Sequence, residues 1–161
     1  MVQMFKEYEE RLRSSDNVPR FSYGRRMMRD DGDPNRYFLM YLFCEQSMAF
    51  QFLQDIGLLR SKMQCNTCGL DMTWSADRYI TEGFRWRCQR SVAGTRCIQS
   101  VSIKFGSWFQ QSNLTIHEIL LITYDIVRRV PAVHNRSEYC LGRHTVADWG
   151  MFCRETMLVY L

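Results

Sequence analysis

The sequence predicts an α+β protein: a small three-stranded antiparallel ribbon knit by four cysteines, flanked by helices, with a C-terminal helix-turn-helix. Three observations carry this. Cys65-Asn66-Thr67-Cys68-Gly69 is answered by Cys88 and Cys97 across residues that alternate between apolar and polar. Helical periodicity brackets that stretch, over 35–60 before it and 108–161 after it. A length of 161 residues with 46% hydrophobic content suffices for one domain or two small ones.

Two cysteines separated by two residues, with glycine next, predict a knuckle. The tight turn aims both sulfurs at one point, and Gly69 can take the positive φ that turns backbone N–H groups toward them. Cys88 and Cys97 complete a tetrahedron, so the reading is a zinc ribbon with Zn–S bonds of about 2.3 Å. The spacer between the second pair, residues 89–96, must loop out while its cysteines converge. Buried free thiols are the alternative. The first residues of the chain are charged at once, with no apolar leader, so a disulfide framework is not expected for seven cysteines. Cys44, Cys140 and Cys153 read as small core residues.

Each element follows from local pattern. Residues 1–34 mix charges of both signs and close on Asp30-Asp31-Gly32-Asp33-Pro34, so they are expected to be disordered or weakly ordered. Residues 35–60 form a helical segment, with Asp33 as N-cap and Pro34 in the first helical position. Phe38, Tyr41 and Leu42 share one face of it. Ala49, Phe52, Leu53 and Ile56 share another, beyond a polar break, and Gly57 ends it. Residues 61–107 form the zinc ribbon, with strands at 72–74, 84–87 and 101–105 and a turn at Thr81-Glu82-Gly83. Residues 108–161 form the helix-turn-helix. Thr115-Ile116-His117-Glu118 is a capping box opening a helix with a stripe of Ile116, Ile119, Leu120, Thr123, Ile126, Val127 and Val130. Pro131 stops that helix, a short one follows around 135–141, and Gly142 ends it. A last helix opens at Thr145 with Val146, Trp149, Cys153 and Met157 facing inward. Such a helix enters a major groove by its first residues, here Arg143, His144, Thr145, Asp148 and Met151. An ordinary three-helix bundle has the same pattern.

Charge points the same way. The net charge is +4, and the whole excess lies on 61–107, because cations and anions balance elsewhere. Arg85, Arg87, Arg90, Arg96 and Lys104 are the candidate contacts to a polyanion's phosphates. The most apolar run, 37–43, is too short to span a membrane.

The order of these motifs resembles the N-terminal region of Merlin-type DNA transposases, which are related to bacterial insertion-sequence transposases. The residues that carry the resemblance are Cys65 and Cys68, Phe84-Arg85-Trp86-Arg87-Cys88, then Cys97 with Val101-Ser102-Ile103. Gly106-Ser107-Trp108-Phe109, Ser112-Asn113-Leu114-Thr115, Glu118-Ile119-Leu120 and Thr145-Val146 with Asp148-Trp149 follow. It covers roughly residues 46–160. It implies recognition of double-stranded DNA at transposon ends, with self or a full-length transposase as a further partner. In that family a ribonuclease-H-like domain with acidic metal ligands follows. The sequence stops at Leu161, so a truncated form that binds without cutting is expected, and no enzyme. The place expected is the nucleus in a eukaryote and otherwise the cytoplasm. The alternatives are a zinc-ribbon protein–protein adaptor and a transposase remnant without function.

Overall fold

The computed structural model describes residues 2–18, 27–92 and 94–159. The chain divides into two compact units, one of Met1–Glu45 with Ile116–Leu161 and one of Gln46–Thr115. The division cuts through the helical segment expected over 35–60, whose second half belongs with the ribbon.

In the first unit, α1 (Val2–Arg13) occupies the segment expected to be weakly ordered. The mixed charges concealed a face. Phe5, Tyr8 and Leu12 recur at helical spacing, Tyr8 and Leu12 are buried, and the Phe5 ring meets Phe38 edge-on at 5.8 Å. Residues 19–26 of that segment lie outside the described residues. Helix α2 (Arg36–Leu42) is capped by Asn35, whose side chain accepts from the Phe38 N–H at 3.2 Å. Asp33 and Pro34, expected as cap and first residue, instead close a small turn in which Pro34 bridges Met28. Phe38, Tyr41 and Leu42 are buried as expected.

Helix α4 (Ile116–Val127), α5 (Ala132–Glu138) and α6 (Arg143–Val159) complete this unit, with α6 packed on the other two. The buried stripe of α4 is Ile116, Ile119, Ile122 and Asp125, rotated from the expected one, and Val127 is exposed. A carboxylate can sit there because Arg36 and the Tyr139 hydroxyl both reach it. Pro131 does not stop α4. Arg129 does, in a left-handed conformation (φ 58°), with the Val130 N–H reaching back to the Asp125 carbonyl at 2.9 Å. Cys140 (φ 51°) closes α5 in the same way, ahead of Gly142. Helix α6 opens at Arg143 instead of Thr145, and buries Val146, Gly150 and Cys153. Trp149 is only half-buried, and Met157 is 39% exposed. Cys153 is core, whereas Cys44 and Cys140 are exposed.

The second unit begins with α3 (Gln46–Asp55). Gly57 (φ 77°) terminates it as expected, with the Leu58 N–H bonded to the Leu53 carbonyl at 2.9 Å. Three strands follow, β1 (Thr73–Ala76), β2 (Phe84–Arg87) and β5 (Ser100–Ser102), in the antiparallel order β1-β2-β5. Between the last two lies a hairpin of β3 (Ser91–Val92) and β4 (Thr95–Arg96). Register places Trp74 opposite Trp86, and Trp86 opposite Val101. Alternation then sends Arg85 and Arg87 to the other face. Phe50 of α3 lies against the aromatic face, with ring centroids 5.7 Å from Trp74 and 5.3 Å from Phe84. Burying one such ring contributes about 2–3 kcal/mol, so this unit has a core beyond any metal. The expected third strand is cut short, because Ile103 to Phe105 turn away and carry Ile103 into the core. No helix among the described residues is long and apolar enough to cross a membrane.

Candidate metal centre

The four cysteines converge from two knuckles. The first sits at the tip of a narrow loop. Gln64 bridges Asp71, the Met72 N–H bonds the Met63 carbonyl at 2.8 Å, and the Cys65 N–H bonds the Leu70 carbonyl at 2.9 Å. Gly69 takes φ 70°, and its N–H returns to the Cys65 carbonyl at 2.8 Å. That left-handed residue folds the loop back on itself at little steric cost.

The second pair is brought together by the β3–β4 hairpin. Cys88 directly follows β2 and Cys97 directly follows β4. The Cys88 N–H bonds the Gln99 carbonyl and the Cys97 N–H the Arg90 carbonyl, both at 2.8 Å. The eight-residue spacer is therefore a paired turn that spans the gap and returns its cysteine to the start.

All four sulfurs lie within 4.8 Å of one another. Cys65 Sγ is 3.6 Å from Cys97 Sγ, and Cys68 Sγ is 3.4 Å from Cys88 Sγ. Disulfide sulfurs would stand at about 2.05 Å. A tetrahedron with metal–sulfur bonds of about 2.3 Å has edges of roughly 3.8 Å, a few tenths of an ångström longer than these two separations. Backbone N–H groups point at the sulfurs. Those of Cys68 and Thr67 pull the Cys65 thiol down to about 6. Leu70 donates to Cys68 and Gln99 to Cys97, but burial and the neighbouring cysteines outweigh these bonds and push both thiols up. Cys65 thus gives up its proton readily while Cys68 and Cys97 resist, as sulfurs crowded around one point do. The four cysteines could hold a metal ion, and a four-sulfur shell leaves no position open to a substrate.

Some of the basic residues around the cage are committed to acids, and others have no acid partner among the described residues. Arg87 Nη2 lies 2.6 Å from Asp77 Oδ2, and Arg85 Nε lies 2.8 Å from the same oxygen, attracted though off the N–H axis. Lys104 is buried, paired with Glu82 at 2.7 Å, and donates to the carbonyls of Leu114 and Ser112. Lys104 is thus a tie between loop and sheet, and cannot be the phosphate contact expected of it. Arg90 and Arg96 flank the hairpin and are exposed. In the other unit Arg143, His144 and Asp148 are exposed and Thr145 is half-buried. His117 stacks on Phe43 at 4.4 Å, and burial holds its imidazole below the usual range, the environment of a core histidine.

The ion pairs that Asp77 and Glu82 make were not foreseen from the sequence. The available signal was that the few acids of a basic stretch flank the turn between its strands. Comparison of the chain with protein-family models, curated proteins and solved structures finds no match.

Proposed function

We propose that the chain is a zinc-dependent module that binds double-stranded DNA, in the manner of the end-recognition part of a Merlin-type transposase, and that it performs no strand cleavage itself. Zinc suits the cage because four thiolates in a tetrahedron match a soft-tolerant d¹⁰ ion without geometric demands of its own. Its role is structural, coupling the folding of the knuckles to the metal.

The observation that carries the DNA reading is the outward face of α6. Val146, Gly150 and Cys153 turn inward, while Arg143, His144, Asp148 and Met151 stand exposed along the first half of the helix. A helix held from behind by α4 and α5, with bare polar side chains at its N-terminal end, is what a helix-turn-helix offers a major groove. Arg90 and Arg96, exposed and without an acid partner among the described residues, supply positive charge in the ribbon unit for phosphates.

Selection from a random duplex library, with metal analysis of the same preparation, tests both parts. The expected result is one zinc per chain and an enriched motif. Changes at His144 or Asp148 should alter that motif by roughly 1–3 kcal/mol per base contact. A zinc-loaded protein that enriches no motif would remove the DNA-reading role. One feature of α6 favours an adaptor instead: Met151, Phe152, Leu158 and Val159 form an exposed apolar stripe, from 38% to 81% open to solvent. The adaptor reading predicts that substitutions along this stripe abolish a protein contact and leave DNA affinity unchanged.

A further inference from the structure

Positive charge in the ribbon unit is not all available. Asp77 holds Arg85 and Arg87, and Glu82 holds Lys104. Arg60 and Lys62, passed over in the sequence, are exposed, and neither side chain has an acid or a hydrogen-bond partner among the described residues. They follow the turn at Gly57, on the loop that leaves α3. Facing them is Gly106-Ser107-Trp108, and between the two loops lies a cleft of about 460 Å³ with no carboxylate among its described lining residues.

Arg60 lies over Gly106 there. Its guanidinium lies so close to Gly106 that a Cβ at that position would stand 2.4 Å from Nη2 and 2.6 Å from Nε. A side chain at 106 would displace the guanidinium, the far end of a flexible side chain, and φ 68° is a conformation glycine adopts freely.

We infer that this cleft is a phosphate-binding site for the backbone of double-stranded DNA, a reading that rests on the DNA-binding role proposed above. A guanidinium fork matches a phosphate's two free oxygens, and Lys62 adds a point charge beside it. Both side chains are exposed instead of enclosed. That suits a polymer, whose many phosphates together supply the affinity that an open pair of cations cannot give one small ion.

The test is a salt titration of a short random-sequence duplex against the zinc-loaded full chain. Arg60→Ala with Lys62→Ala should weaken binding to all sequences alike. It should flatten the slope of log K against log[salt] by about 1.8, the share of two phosphates. Arg60→Lys keeps the charge and loses the fork, so the slope should hold while affinity falls several-fold. Zinc content and circular dichroism should not change. Duplex binding with an unaltered slope in the double variant would overturn the cleft and leave DNA binding intact. Wild-type affinity in Arg60→Lys would overturn the forked contact to phosphate. A wild-type chain that binds no duplex, while inorganic phosphate shifts the Arg60 Nε resonance, would make this a small-anion site and overturn both readings.

Discussion

Replacing Arg36 with methionine should destabilise the helical unit by about 2–3 kcal/mol. Asp125 lies on the inner face of α4 and is 0% exposed. Arg36 reaches it from the first turn of α2, and the Tyr139 hydroxyl donates to its other oxygen at 2.7 Å from the end of α5. The carboxylate thus ties three helices. At an effective dielectric near 20 a close ion pair is worth on the order of 4 kcal/mol, and stripping one partner from a buried pair costs about 3–5 kcal/mol. Arg36 is 39% exposed, so water takes up part of that loss and the lower figure follows. The expected fall in Tm is roughly 10–20 °C for a unit of this size. Urea unfolding followed at 222 nm reads it, because α1, α2, α4, α5 and α6 all belong to this unit. In an Asp125→Asn background the same change should cost less than about 1 kcal/mol, since no buried charge remains to be stranded. Equal costs in the two backgrounds, or a cost under about 0.5 kcal/mol in the native one, would refute the reasoning.

Three further outcomes are expected. Cys68→Ser should lose the metal and loosen the ribbon, whereas Cys153→Ser, whose sulfur contacts only Thr123 at 3.9 Å among the bonds described, should keep it; metal analysis of both variants decides. Asp77 is held below its ordinary 3.8 by the Tyr79 N–H first, then by Arg87 and Arg85. A lowered carboxyl stabilises fully above its unfolded pKa, and that contribution is lost as pH falls through the folded one. Asp77→Asn should therefore flatten the acid limb of the ribbon's stability curve, and parallel curves for variant and parent would contradict the ion pairs. Gly150→Ala should stabilise α6 by about 1 kcal/mol, because the nearest atom to the new Cβ is Arg154 Nη1 at 3.5 Å; a lower melting temperature would show that the helix crossing needs the glycine.

Much of what depends on neighbours a few residues apart was legible in the sequence. The knuckle at Cys65 and Cys68, the period-two run through Trp86 and the turn at Gly57 each appear where local pattern put them. The start of α4 and the burial of Phe38, Tyr41 and Leu42 do so as well. Even local pattern misled where two signals competed. Asn35 outdid Asp33 as a cap because its side chain is the one in reach of the Phe38 N–H. Arg129 and Cys140 ended helices in left-handed conformations that a glycine would have advertised.

The cysteine spacing and strand periodicity by themselves determined that this protein has an antiparallel sheet beside a four-sulfur cage, since backbone pleat and turn geometry act over a few residues. Tertiary structure alone decided which charges are free. Arg36 and Asp125 are 89 positions apart, and nothing near either one marks Asp125 as a core residue. Lys104 became an internal tie only because the sheet brought Glu82 to it, and Arg60 has no acid beside it among the described residues because the fold delivers none there. A charge's partner is set by where the fold delivers it, and the interaction depends on distance in space and on burial, neither of which the order of residues along the chain records.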